Sequence, residues 1–466
     1  MKKTFLRSAA IAVAVTGASA AHAVHVNPDG LGQVLLYPYY TVQNDFVTAV
    51  HIVNTTAQAK AVKVRFLEGK NSREVLDFNL YLSPYDVWTG SVVPDAANGA
   101  KLVSSDTSCT RGTITSAGVP FRNYDYSVED SPVDLNRRRE GYIELIEMGV
   151  LTDSAQIKAV THVNGVPADC AAIRTADQNN AIQVSAPTGG LFGSGHLVSV
   201  EGGVRTSYDP TALDDFSDVP IWFTAGSVSP SLENVLPEAT ILDGNQVISY
   251  EPAGARDVDA VSAVLTHDTI SNEYTVDAGR LSQTDWVITF PTKRFYVNSS
   301  NPAPFQKLWS PSTKTSCHAV GFSFYDREER TSTPDVDDFS PPPPGPDPFS
   351  LCNEVNTLTI HRQGVDAADA KLFGAVSTAQ TLAVSDFEAG WMRVTFATDS
   401  TGGTFGYLPN GLNAADSPIG LPVIGFAASR NVNTVDVQID GLNVYSAVMG
   451  SNVHKGNKLR GIPSAP

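Results

Sequence analysis

The sequence predicts a mainly β protein, built as antiparallel β-sandwich lobes (Ig-like or jelly-roll-like) with long loops and a few short helices. Three observations predict it. Apolar and polar residues alternate at period two over several short runs. Clusters of turn-forming residues separate those runs at close spacing. Hydrophobic residues make up 42% of the 466, while Gly and Pro number 36 and 29. That Gly and Pro usage is near average and far below the roughly 25–30% of low-complexity chains. A large core is therefore available, and disorder is excluded as a description of the whole chain.

Residues 1–23 read as a secretory signal peptide. Lys2, Lys3 and Arg7 form a basic start, Ala9 to Gly17 is apolar and small, and Ala21-His22-Ala23 is an A-x-A cleavage site, with Ala18-Ser19-Ala20 as the alternative. A retained anchor would need about 20 apolar residues, and Asn27-Pro28-Asp29-Gly30 interrupts too early. The expected address is therefore export: the outer cell surface or beyond, with the periplasm as alternative. No later apolar run suits a transmembrane helix. Cleavage removes three basic residues and no acidic one, so a formal charge of −17 becomes −20. That sign argues against nucleic acid as a partner.

The first strands are expected at Gln33–Val42 and Phe46–Val53. A run with Val62, Val64 and Phe66 inward and Lys63 and Arg65 outward follows. The next run places Leu76, Phe78, Leu80 and Leu82 opposite Asp77, Asn79 and Tyr81, after the turn Glu68-Gly69-Lys70-Asn71-Ser72. So short a connection favours antiparallel neighbours, and the basic face of one strand would then pair with the acidic face of the other. Further strands are expected at Tyr142–Met148, His196–Arg205, Asp285–Val297 (with Pro291 as a bulge or edge), His318–Tyr325, Thr357–Arg362, Trp391–Ala397 and Val423–Phe426. Short helices are expected at Ala155–Val160 and Asp257–Leu265. No repeat of fixed period is present, which removes support for propellers and solenoids. The expected division is an N-terminal β-sandwich domain over 24–290 and a second β-rich region over 291–466.

Four cysteines in an exported chain suggest disulfides. Neighbour pairing joins Cys109 to Cys170 and Cys317 to Cys352, the second pair bracketing Pro341-Pro342-Pro343-Pro344-Gly345-Pro346. A structural metal site would need closer cysteine pairs than these.

Candidate chemistry is sparse. The glycine-dense segment Gly189-Gly190-Leu191-Phe192-Gly193-Ser194-Gly195 lacks the Lys-Ser or Lys-Thr of a phosphate loop and is followed by a strand pattern, so a tight turn or close backbone approach is expected. Ser194 lacks the flanking glycines of a nucleophile elbow, and Ser194 with His196 on one strand is too close in sequence for nucleophile and base. A triad assembled from distant residues stays open. Three acidic clusters could hold calcium, which takes six to eight oxygen ligands from flexible loops. They are Asp209, Asp214, Asp215 and Asp218; Asp335, Asp337, Asp338 and Asp347; and Asp125, Glu129, Asp130 and Asp134. None matches an EF-hand loop, and solvated acidic loops are the alternative. Arg137-Arg138-Arg139 could meet an acidic polysaccharide or lipopolysaccharide, but pairing with the acidic cluster just upstream is the expectation. Tyr37, Tyr39, Tyr40, Tyr81, Tyr85 and Trp88 could form a sugar-stacking strip, although period two turns about half of them into the core.

The segment Gly30–Tyr40, together with Lys60–Gly69, Asn71–Trp88, Ala186–Gly193 and Trp286–Val297, resembles a family of uncharacterised exported β-rich proteins of Gram-negative bacteria. The resemblance implies export and a shared β-rich fold, and carries no catalytic residue. The expected function is that of a secreted or cell-surface structural or adhesive protein without catalysis, associating with itself or with envelope or matrix components. The alternative is a periplasmic or secreted polysaccharide-binding protein or hydrolase.

Overall fold

The computed structural model describes residues 23–126, 134–251, 256–278, 281–331, 349–384, 387–396, 417–432, 437–439, 442–444 and 447–460. Residues 1–22 and the Pro-rich segment 332–348 lie outside them. The fold is mainly β, arranged as sandwich lobes with few, short helices.

The N-terminal lobe is built from β1 (His25–Val26), β2 (Val34–Thr41), β3 (Phe46–Asn54), β4 (Lys60–Glu68), β5 (Glu74–Leu82), β6 (Val87–Asp95), β7 (Gly99–Val103), β8 (Cys109–Thr110) and β9 (Val119–Pro120). β10 (Glu140–Leu151), β11 (Val184–Ser185), β12 (Leu191–Ser199), β13 (Val204–Tyr208) and β14 (Thr211–Asp214) complete it. One sheet runs β1-β14-β2-β10-β4-β5-β8, with β11 beside β10; the other runs β13-β12-β3-β6-β7-β9. Asn44 and Asp45, both at positive φ, turn the chain from β2 in one sheet to β3 in the other. β4 and β5 are antiparallel neighbours as their short turn requires, with Arg65 opposite Asp77.

The inner face of this sandwich holds Val62, Val64, Phe66, Phe78, Leu80 and Trp88. The outer face of the first sheet is covered too, which is why every residue of β4 and β10 is buried. Helices α1 (Ser154–Val160) and α2 (Cys170–Gln178) lie there, and Val160 and Ile173 pack on Ala61, Tyr81 and Met148. Asp177 of α2 accepts hydrogen bonds from the Tyr81 hydroxyl (2.5 Å), Asn79 Nδ2 (2.8 Å) and Thr224 Oγ1 (2.7 Å). The polar outward residues of the alternating strands thus become internal ligands for a lid of helix and loop.

The second lobe begins beyond the hairpin β15 (Ala239–Asp243) and β16 (Gln246–Tyr250) and helix α3 (Val258–Leu265). It comprises β17 (Thr269–Thr275), β18 (Gln283–Thr289), helix α4 (Lys293–Val297), β19 (Gly321–Asp326), β20 (Val355–His361), β21 (Ala379–Ala383), β22 (Ala389–Thr395), β23 (Ile424–Val432), β24 (Ala447–Val453) and β25 (Lys455–Asn457). One sheet runs β21-β20-β18-β23-β24 and the other β19-β22-β17-β25. The expected division at 290/291 falls between β18 and α4, both parts of this lobe.

Three expected strands are corrected. His318–Tyr325 is a short strand, His318–Ala319, paired with Ser350–Leu351, followed by β19 in a different sheet. His196–Arg205 is two antiparallel strands, β12 and β13, with a turn at 200–203 between them. Asp285–Val297 is strand β18 followed by helix α4. Pro291 has no N–H to give the sheet, and its fixed φ suits the entry to a helix.

The lobes share one interior. Val34, Leu36, Ile146 and Leu213 of the first lobe lie in the same apolar cluster as Trp286, Ile288, Leu358 and Ile360 of the second. Backbone bonds cross the joint, from Val355 N–H to Gly69 O at 2.8 Å and from Glu354 N–H to Lys70 O at 3.1 Å. Edge strands β13 and β24 also meet, with Thr206 Oγ1 donating to Ser451 Oγ at 3.0 Å. Two open sheet edges thereby cover one another.

Cys109 pairs with Cys170 and Cys317 with Cys352, with Cα separations of 5.1 and 3.8 Å. The first bond ties α2 to β8 across 61 residues of sequence. Serine at both Cys109 and Cys170 is expected to cost about 4 kcal/mol on the chain-entropy model. Urea unfolding of the two proteins without reductant measures it, and equal stability would show that the bond does not form.

Candidate functional site

Most of the residue groups singled out from the sequence fall within the described residues. The glycine-dense segment behaves as a close approach. Gly193 and Gly195 leave no room for a Cβ, against the Tyr37 hydroxyl and the Tyr208 ring respectively. The backbone N–H groups a phosphate would use are taken. Thr188 N–H and Gly189 N–H donate to the Glu147 carboxylate at 3.1 and 2.9 Å.

Ser194 and His196 are brought together by the strand's period of two, with Oγ 3.0 Å from Nε2. The geometry still makes no nucleophile–base pair. Arg205 Nη2 lies 2.9 Å from His196 Nδ1, and a guanidinium only donates. Nδ1 therefore carries the lone pair, and Nε2–H donates to the serine. Burial, Arg205 and His51 also hold the imidazole pKa below its ordinary value.

The acidic residues disperse. Asp209 and Asp218 are exposed. Asp214, in β14, packs against Gly189, and burial raises its pKa. Asp215 lies 3.7 Å from His25 Nδ1. Asp125 accepts Glu74 N–H at 3.0 Å, and Asp134 caps the turn at Leu135–Arg138. Asp335, Asp337, Asp338 and Asp347, like Glu129 and Asp130, lie outside the described residues. Among the described residues, no group of three or more His, Cys, Asp or Glu is placed to hold a metal.

Arg137 is not a surface patch. It bonds Glu68 through Nε (3.0 Å) and Nη2 (2.9 Å) and lies over the Tyr126 ring, while Arg138 is buried beside it. Of the N-terminal aromatics, Tyr37, Tyr39, Tyr40, Tyr81 and Trp88 are buried and Tyr85 is exposed, so no sugar-stacking strip forms there. No helix among the described residues is long and apolar enough to cross a membrane.

Two sites emerge that the linear sequence did not mark. One is an apolar cavity of about 290 Å³ between the lobes, whose polar lining includes His267, His454 and Lys458. Burial pushes the two imidazoles down to about 3 and about 4 and the Lys458 amine down to about 8. The other is a polar groove on the outer face of the β19-β22-β17-β25 sheet, where Asp268, Ser271, Arg393, Lys455 and Asn457 converge. On the same sheet Tyr325 stacks on Trp391 at 4.7 Å, with Arg393 over the indole at 5.4 Å.

No family model, curated protein or solved structure matches this chain. The sites themselves therefore carry the functional reading. His454 has both nitrogens engaged, Nε2–H donating to Val287 O (2.9 Å) and Nδ1 accepting from Asn272 (3.1 Å), and it serves the packing. Among the described residues, His267 Nε2 and one N–H of Lys458 have no hydrogen-bond partner. The groove on the outer sheet combines two cations with hydroxyl and amide groups on a flat face. No signal in the chain's periodicity could have found either site, because each draws residues from strands far apart in sequence.

Proposed function

We propose that the chain is an exported protein of a Gram-negative envelope with a structural or adhesive task at the cell surface. The joint between its lobes supports this reading. A cleft-closing binding protein needs lobes that move apart about a hinge. Here one apolar cluster, crossing backbone bonds and paired sheet edges make the lobes one body. A body of that kind works by presenting surfaces, and its disulfides suit an oxidising compartment. Cell fractionation with imaging of intact cells tests this. Protein on the outer surface is the expected result; protein confined to the cytoplasm or the periplasm would end the proposal.

The groove on the outer sheet favours a second, compatible reading, adhesion to an acidic polysaccharide. Arg393 and Lys455 supply the charge and Ser271 and Asn457 the hydrogen bonds. The double variant R393A/K455A is expected to lose retention on an immobilised polyuronate while its melting temperature stays near that of the parent. Retention equal to the parent's would exclude the groove.

A further inference from the structure

We propose that the cavity between the lobes binds one short aliphatic carboxylic acid, its chain among Leu242, Val264, Ile270 and Val453 and its carboxyl group at His267 and Lys458. The volume, about 290 Å³, is at the lower end of small-molecule pockets and suits one narrow chain. The walls are preformed, because Val264, Leu265, Ile270, Val423 and Ile424 belong to one apolar cluster, against which Val26 of the first lobe packs.

The polar end is chemically defined. His267 Nδ1 lies 2.9 Å from Leu265 O. A carbonyl only accepts, so the proton sits on Nδ1 and Nε2 is a bare acceptor. No hydrogen bond to Nε2 is formed among the described residues. Its immediate neighbour is Gly456, where a Cβ would stand 2.5 Å away. Lys458 Nζ donates to Val264 O (2.9 Å) and Thr266 O (3.1 Å), which leaves the third of its three N–H donors. One bare acceptor and one cationic donor lining the same cavity match the O–H and C=O of a single carboxyl group. Burial and Lys458 keep the imidazole neutral, so the bound species is the neutral acid, its O–H donating to Nε2 and its C=O accepting from Lys458. A simple alcohol satisfies only half of it, and an amine would meet Lys458 with like charge.

Decanoate titrated into the purified protein by calorimetry, with decanol as the chain-only probe, decides the matter. Decanoate is expected to bind one to one, and decanol at least about tenfold more weakly, since a bond to a charged group is lost. Lys458→Met should bring the two probes level. Ile270→Trp, which fills the cavity, should abolish binding of both, and Leu242→Trp at the half-exposed rim does the same with less demand on the core. In the unmodified protein decanoate should shift the His267 imidazole resonance. Absence of binding, equal affinity for decanol, an unmoved His267 resonance or undiminished binding by the folded tryptophan variants would each overturn the proposal.

Discussion

Replacing Lys60 by methionine is expected to cost about 3–5 kcal/mol, more than the double replacement of Lys60 by methionine and Glu147 by leucine. Both side chains are fully buried, and Nζ lies 2.6 Å from Glu147 Oε1. Taking two charges out of water is expensive, and their attraction only offsets that cost while both are present. Removing Lys60 alone leaves a buried carboxylate with two backbone N–H groups for support. Removing both removes the desolvation as well. Burial already holds the Glu147 pKa above its ordinary value, with Lys60 the largest influence in the opposite direction. Without Lys60 that pKa rises further, and protonation becomes the escape. The penalty of Lys60→Met should therefore grow with pH. Equilibrium urea unfolding of the parent, both single variants and the double variant at pH 5 and pH 8 measures it. A double variant no more stable than Lys60→Met would contradict this account.

The strand that carries Lys60 shows, with its neighbour β5, how far a sequence can be read. Alternation placed β4 and β5 correctly, because a half-buried strand writes its period into its residues. It also anticipated charge pairing between them: Arg65 meets Glu74 at 2.7 Å, and Lys63 contacts Asp77. What alternation cannot show is the second covering layer. Lys63 and Arg65 look solvent-facing on a two-faced strand, yet Lys63 donates to Ser227 O of a covering loop and Arg65 shares Glu144 with Arg294 of α4. Arg294 of α4 reaches Glu144 at 3.1 Å from a position about 150 residues away. The run containing Arg294 reads as strand because Phe295, Tyr296 and Val297 are β-formers, yet it forms a helix of five residues, where tertiary packing outweighs propensity. The cavity and the outer groove were invisible for a related reason. Their residues are ordinary singly and become a site only when strands from distant segments are laid side by side.

Glu354, at the joint between the lobes, should make the protein lose stability as pH rises from about 4.3 to about 8. It is fully buried, and neither carboxyl oxygen has a hydrogen bond among the described residues. Burial pushes its pKa up to about 8, against the opposing pull of Lys293 and Arg294. An unfolded glutamate titrates near 4.3. Between those two values the folded chain holds a proton that the unfolded chain has released, so the proton-binding difference favours folding less with each step in pH. The limiting slope for one group is about 1.4 kcal/mol per pH unit. Lys293 stands next to it, over the Phe290 and Phe305 rings, with Nζ donating to Asn353 O at 3.1 Å. Burial lowers its pKa to about 8, so its linkage lies between about 8 and the ordinary lysine value near 10.4 and has the opposite sign. The two effects therefore occupy separate windows and can be read apart. Glu354→Gln keeps the shape of the protonated acid and cannot ionise. Its stability curve should be flatter than the parent's between pH 5 and 8, so that the parent loses ground to the variant by about 1 kcal/mol per unit across that range. Urea midpoints for both proteins at unit pH intervals give the comparison. Parallel curves would mean that Glu354 is ionised in the folded protein throughout, with Lys293 and Arg294 compensating its charge, and the joint would then be held by an ion pair and not by a neutral acid.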